Sequence, residues 1–356
     1  MRKAIYASDA AEGRGILARA PVIQLATTTA TGRPILRVLH AVIDEDLVAF
    51  HGAPVGEKIE GLGRHAVLSA HETVAEIPSW FLDPERACPA TTYFTSVQVE
   101  GRLEEIIDPA RKARILARLM TKYQPSGGYR ALDHTDPLYT KALDGLLVAG
   151  VPIDAIACKA KLGQNRKPED RRLVVAKLWE RGGPGDVAAV DLLLRRFPEL
   201  TPASFVRDGY HLGCGLDAAD LAQVETLLGN AYWLANVTVA EKRRAIASSS
   251  VVTARNDTGA IVAFARVISD GLVAWIYDVI VAPEERGRGL GSWLFGRLLD
   301  HPVVRQSRSV RLSTRDAMAL YARFGFTEVA QAQIRPGHVS TMMIRQNGST
   351  PSMPLA

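Results

Sequence analysis

The amino-acid sequence predicts an α+β protein of two domains, a strand-rich first half and a mixed α/β second half. Three observations predict it. At 356 residues the chain exceeds the length at which a single hydrophobic core usually serves. Residues 16–100 read as short β-branched, apolar runs broken by turn residues. In the second half, the apolar run 274–281, the glycine-rich segment Arg286-Gly287-Arg288-Gly289-Leu290-Gly291 and the amphipathic run 292–299 succeed one another as strand, loop and helix.

Composition narrows the classes. A hydrophobic fraction of 47% with 23% charged residues suits packed cores. There is no run of about eighteen apolar residues to span a bilayer. Met1-Arg2-Lys3-Ala4-Ile5 lacks the apolar stretch of a secretory signal, so a cytoplasmic protein is expected. Cys88, Cys158 and Cys214 are odd in number and scattered, against a disulfide framework or a C-x-x-C metal site. A net charge of +5, interleaved with acids, does not call for nucleic acid. Basic stretches at 166–172 and 305–311 read as solvent-facing side chains.

Taken in order, residues 10–20 predict a helix and 21–29 a strand, followed by the turn signal Thr31-Gly32-Arg33-Pro34. Residues 35–43 and 47–51 predict two more strands, joined by a tight hairpin at Asp44-Glu45-Asp46. A helix over 57–63 and strands at 67–71 and 91–99 continue the pattern. Ile115, Leu116, Leu119 and Met120 place one apolar face on a helix at 109–123. Sequential strands with peripheral helices predict a small closed or split barrel. Gly182-Gly183-Pro184-Gly185, a short helix at 186–196 and the prolines 198 and 202 mark a linker. The expected domains are therefore 1–204 and 205–346, with a disordered tail at 347–356.

The strand–loop–helix unit makes an anion site. N–H groups at a helix N-terminus lack intrahelical partners, and glycines let a pyrophosphate reach the main chain. The spacing is neither G-x-G-x-x-G nor a P-loop. It is Arg-x-x-Gly-x-Gly, followed downstream by Leu320-Tyr321-Ala322-Arg323-Phe324-Gly325-Phe326. These two motifs, with Val262 to Gly271 and Arg311-Leu312-Ser313-Thr314-Arg315-Asp316-Ala317, resemble the GNAT family of N-acyltransferases from about Asp217 to Arg345. The resemblance implies a GNAT α/β acetyltransferase domain. Its strand 277–281 would splay from its neighbour, and main-chain groups of Val279, Ile280 and Val281 would bind the pantetheine of acetyl-CoA. Arg286, Gly287, Arg288, Gly289, Leu290, Gly291 and Ser292 would hold the pyrophosphate. Tyr321 is the implied general acid for the departing thiolate. Asp278 has two readings, a base acting through water or a clamp on a neighbouring arginine. Thr314 and Asp316 contact the cofactor arm or, for Asp316, cap a helix. Tyr232 and Trp233 line an amine pocket or anchor the core.

In the first half, Phe50-His51-Gly52-Ala53 with Lys58, the run Thr92 to Arg102, and Lys161-Leu162-Gly163-Gln164-Asn165-Arg166 resemble the FMN-binding split β-barrels of pyridoxamine 5′-phosphate oxidase-like proteins, of the nitroimidazole-resistance and FMN-binding regulator types. The resemblance covers most of residues 10–180. It puts Arg37, Val38, Leu39, Phe50, His51 and Lys58 near the flavin, across a homodimer interface, with Thr95 and Ser96 helping at the phosphate. His51 is a flavin or haem contact, or a hydrogen-bonded structural residue. After Arg37 the sequence gives Val-Leu-His-Ala instead of the Arg-x-x-x-Lys pair of the true oxidase, which argues against that activity.

The expected protein is a fusion: an FMN-binding-type split barrel, then an acetyltransferase that moves an acetyl group from acetyl-CoA to a small primary amine. Haem in the barrel, a flavin- or haem-dependent reductase, and a ligand-sensing regulator stand as alternatives.

Overall fold

A computed structural model describes residues 4–229, 231–335 and 338–348. The chain forms two compact units, one of residues 1–78 and 88–166, the other of 79–87 and 167–356. No helix among the described residues is long and apolar enough to cross a membrane.

In the first unit the strands are β1 (Ala7–Ser8), β2 (Ile23–Thr28), β3 (Pro34–Leu39), β4 (Ala41–Asp44), β5 (Leu47–Gly52), β6 (His65–Ile77), β7 (Thr91–Arg102), β8 (Glu104–Glu105), β9 (Leu147–Pro152) and β10 (Ala155–Lys161). They make a six-stranded sheet, β1-β10-β7-β6-β2-β3, and a four-stranded sheet, β4-β5-β9-β8. The chain changes sheet at His40, over 53–64, at Leu103 and at 153–154, which is how a barrel splits into two halves. The run 35–43, expected as one strand, is therefore two strands in different sheets. Along β3, Leu36 and Val38 face solvent, whereas Ala41 and Val42 are buried. Ile16 and Leu17 of α1 (Ala10–Arg19) join Leu25, Phe50, Leu68, Val97 and Ala149 in one core fed by both sheets. Helix α2 (Pro109–Tyr123), capped by Asp108, is docked on the β4–β5 hairpin by the fully buried Asp44, which Arg111, Arg114 and Arg118 engage. Residues 57–61, expected as a helix, form a 3-10 turn opened by Gly56 at φ 93°. Helix α3 spans Pro137–Asp144.

In the second unit, α4 (Pro168–Arg181) and α5 (Asp186–Arg196) precede β11 (Val206–Arg207), β12 (Tyr210–Gly213), α6 (Ala218–Leu227), α7 (Val239–Ala247), β13 (Ser250–Arg255), β14 (Ile261–Ser269) and β15 (Val273–Val281). Then follow α8 (Leu290–Asp300), α9 (Pro302–Arg305), β16 (Ser309–Thr314), α10 (Met318–Ala322), β17 (Thr327–Arg335) and β18 (His338–Gln346). The sheet order among the described residues is β11-β12-β13-β14-β15-β16-β18-β17, antiparallel except for β15 and β16. That parallel pair needs a crossover helix, which α8 supplies through Leu290, Leu294, Phe295 and Leu298.

Residues 167–204, which the sequence groups with the barrel, belong by packing to the second unit. Trp179 donates its indole N–H to Asp300 at 3.1 Å, Arg195 reaches Asp220 at 2.8 Å, and Asp191 accepts from the Cys214 N–H at 2.9 Å. Most of the tail 347–356 lies outside the described residues. Asn347 is within them, and its amide donates to the carbonyls of Val304 and Ser307, both at 2.7 Å.

His301 gives this unit a pH dependence. It is 1% exposed, accepts the Val303 N–H at 3.2 Å through Nδ1 and meets Trp179 edge to face. Burial, with Arg305 second, lowers its pKa to about 4. The unfolded chain takes up this proton below about 6.5 and the folded chain only near 4, so the contribution is intact above pH 6.5 and is lost as pH falls through that window. Acid denaturation should cost about 3 kcal/mol across it. His301→Asn, whose side-chain oxygen replaces Nδ1 as the capping acceptor, should flatten the pH 4–6.5 slope of urea-unfolding free energies; an unchanged slope would remove His301 as its source.

Candidate active site

Strand β15 is paired along its length with β14 on one side. On the other it pairs with β16 only at Val273, Ala274 and Trp275. Beyond Trp275 the two parallel strands part, and the edge of β15 from Ile276 to Val281 faces a gap. Opposite the gap, the β14 register jumps from Phe264↔Ile280 to Arg266↔Tyr277, leaving Asp278 and Val279 against the single residue Ala265. This is a bulge, and it holds Asp278 at φ 54°, a left-handed conformation that aspartate tolerates better than most side chains. Ile280 is buried in the core against Phe264, so it can offer a ligand only main-chain groups.

The glycine loop closes the end of the gap. Gly287 and Gly289 take φ values of 79° and 75°, and Gly289 caps α8 with no side-chain hydrogen bond. The N–H groups of Leu290, Gly291 and Ser292 therefore have no intrahelical acceptor, and the helix dipole adds positive potential at the same point. Leu290 itself is buried, 2% exposed, and anchors the helix. Arg286 Nε donates to the Val281 carbonyl at 3.2 Å, and Arg288 pairs with Glu285 at 3.0 Å. Both arginines thus stiffen the loop.

Tyr321, on α10, packs its ring 4.9 Å from that of Phe295 and is 8% exposed. Burial, aided by the Asp316 carboxylate and Tyr232, pushes its phenol up to about 12. Asp278 contacts two neighbouring side chains. One oxygen accepts Trp233 Nε1–H at 2.9 Å and the other Arg266 Nε–H at 2.5 Å, with the carboxylate 6% exposed. Asp316 is not the cap: Ala317 holds the N-cap position of α10, and its N–H goes to Thr314 Oγ1 at 3.0 Å. Asp316 instead faces the Tyr232 hydroxyl, 3.4 Å from both carboxylate oxygens.

The barrel residues divide. Arg37 and Arg33 both bind the Glu57 carboxylate, whose pKa the Arg33 hydrogen bond lowers. Lys58, next in the chain, donates to the Val55 carbonyl at 3.1 Å. Arg33 and Arg37 thus meet on Glu57 in the turn after β5 that also carries Lys58. Phe50 does not join them: it is 0% exposed and belongs to the core. Val38 is on the outer face of the edge strand β3 and Leu39 packs on the core. Thr95 is buried while Ser96, its neighbour on β7, points to the other face, so the two cannot meet one phosphate. His51, next to the end of β5, is open to solvent on one side, and partial desolvation of its ring, then His40, lowers its pKa.

Comparison with known proteins matches two families to the chain. The sequence model described as pyridoxamine 5′-phosphate oxidase matches residues 9–160, and the acetyltransferase (GNAT) domain model matches 247–328. The chain joins a pyridoxamine 5′-phosphate oxidase-like domain to a GNAT acetyltransferase domain. It is 31% identical over 119 residues to an uncharacterized N-acetyltransferase, ycf52, of Porphyra purpurea, an overlap of 30% of this chain and 64% of that protein. The chain spans less than two thirds of the length of these curated relatives. A solved protein of Xanthomonas campestris pv. campestris, described as belonging to the GNAT family, is 36% identical, covering 36% of this chain and 95% of that one, with a TM-score of 0.32. The flavocytochrome Anf3 of Azotobacter vinelandii is 22% identical, covering 46% of this chain and 72% of its own, with a TM-score of 0.38.

Several residues of the GNAT site carry no sequence signal. Arg207, on a two-residue strand, donates to the Gly289 carbonyl at 3.1 Å and brings a cation to the loop. Tyr210 donates to Glu285 at 2.6 Å and so fixes the partner of Arg288. Arg266 is legible only once the bulge places Asp278 beside it. The cavity of about 1010 Å³ found in this unit lies elsewhere, between Gly182–Asp191, Cys214–Leu221 and His301–Gln306, and holds none of the expected coenzyme residues.

Proposed function

We propose that the GNAT domain transfers an acetyl group from acetyl-CoA to a small primary amine, and that the barrel domain binds FMN. The observation that carries the first part is the conjunction of an unpaired β15 edge with uncapped N–H groups at 290–292. An extended pantetheine adds to the open strand edge as another strand would, and the diphosphate meets the helix start. The neutral amine attacks the thioester carbonyl, the C–S bond breaks, the phenol of Tyr321 gives its proton to the departing thiolate, and the proton shed by the acylated nitrogen passes through solvent to restore the phenol. Asp278 holds Arg266 and Trp233 and so keeps the bulge that opens the edge. Gly289→Val tests the coenzyme site. A side chain there meets a positive φ and the Arg207 guanidinium at 3.1 Å, so the Kd for acetyl-CoA should rise at least about tenfold. Calorimetric titration at unchanged circular dichroism checks this; equal affinity would place the coenzyme elsewhere.

For FMN, the cluster of Arg33, Arg37 and Lys58 suits a phosphate, with Glu57 as the anion it would replace. Bound there, the flavin would supply electron transfer. The exposed Leu36 and Val38 of the edge strand suit burial by a second copy of the chain. Arg37→Ala should weaken FMN about tenfold in a fluorescence titration. A Soret band in the purified protein would favour haem over flavin.

A further inference from the structure

A small cation site is built across the mouth of the gap between β15 and β16. Tyr232 and Trp233 stand on a 3-10 turn after α6, their rings edge to face at 4.9 Å. Trp233 is tied to Asp278 of the bulge. Asp316 stands on the other arm, between β16 and the helix that carries Tyr321, and its carboxylate meets the Tyr232 hydroxyl. A cation fills the space these groups enclose. The guanidinium of Arg315 sits over the Tyr232 ring at 3.9 Å from its centroid and 4.0 Å from Asp316. An aromatic face and a carboxylate together attract a cation at a partly exposed site such as this, where Asp316 is 62% exposed. Arg315 is itself half exposed, at 53%, and sits on a connecting segment, free to be exchanged.

We propose that Tyr232 and Asp316 form a cation subsite for the acceptor, filled at rest by Arg315, and that the acceptor is a small amine with a second positive charge that displaces this arginine. The proposal rests on the acetyltransferase reading and deepens it. The reacting nitrogen attacks as the neutral amine near Tyr321, while the second, unreacting ammonium or guanidinium rests on the Tyr232 face against Asp316. The Asp316 charge that helps raise the Tyr321 phenol thus keeps a counterion when the acceptor takes the place of Arg315.

The test compares 1,4-diaminobutane with n-pentylamine, which has nearly the same shape and one charge fewer, by release of free thiol from acetyl-CoA. In the unaltered protein kcat/KM should favour the diamine about tenfold at low salt, and the preference should shrink as salt rises. Asp316→Asn should bring the ratio towards one, mainly through KM, and Arg315→Gln should widen it by lowering the diamine KM. Equal use of both amines by the unaltered protein, or a ratio indifferent to Asp316→Asn, would overturn the subsite while leaving the acetyltransferase standing. Release of thiol with neither amine, in protein that thermal shift shows to bind acetyl-CoA, would overturn both.

Discussion

Tyr321→Phe should lower kcat about 10²-fold while leaving the KM for acetyl-CoA near its original value. The ring's packing against Phe295 and Phe326 is retained by phenylalanine, so the loss isolates the hydroxyl. A phenol raised to about 12 looks a poor donor to a thiolate whose conjugate acid titrates near about 8.5 in water. The comparison changes inside the site, because burial and the Asp316 charge raise the phenol and penalise any anion formed beside it, the thiolate included. Proton transfer then moves a charge between two similarly disfavoured positions. The sign for pH follows: the protonated phenol persists to about 12, so no loss of kcat should begin near pH 10, where an unperturbed tyrosine titrates. Stopped-flow thiol release from pH 7 to 10.5 checks both statements. Full turnover by the phenylalanine variant would assign thiolate protonation to water.

The sequence was most informative where function imposes a local pattern. Gly287 and Gly289 are legible because only a residue without Cβ takes their φ cheaply, and the helix at 109–123 because its apolar face and Asp108 cap are local signals. The two domain types and the barrel were legible for the same reason. The break at His40 was not, since nothing in 35–43 distinguishes a continuous strand from one that turns a barrel corner. Nor was the role of α4 and α5, because Trp179 finds Asp300 and Arg195 finds Asp220 only through tertiary contact. Phe50 shows the opposite error. The motif that flags a flavin-type strand includes a residue whose side chain serves the core, and only His51, at the same strand's end, is exposed. Long-range pairs such as Arg207 with Gly289 leave no trace along the chain.

Asp278→Ala should destabilise the protein by about 4 kcal/mol, because it removes the carboxylate partner of the Arg266 guanidinium, 11% exposed and left with the Ser249 hydroxyl, and takes away the acceptor that Trp233 Nε1–H uses. It also puts alanine at a φ of 54°, for which it lacks the local hydrogen bonding that helps aspartate there. Asp278→Asn separates structure from chemistry. Asparagine accepts the left-handed conformation and keeps an oxygen for Trp233, but it has no charge for Arg266 and no capacity to take a proton. A clamp predicts that this variant loses about 2 kcal/mol of stability in urea while its kcat stays within about tenfold. A general base predicts the reverse, near-native stability with kcat down by about 10² to 10⁴ and the acid limb of the pH–rate profile gone. The geometry favours the clamp, since each carboxylate oxygen already accepts a hydrogen bond from a neighbouring side chain and the carboxylate is only 6% exposed. On that account the acceptor sheds its proton to solvent before it enters. The rate with a given amine should then track the fraction of that amine that is neutral, rising with pH up to the amine's own pKa, in the asparagine variant as in the unaltered chain.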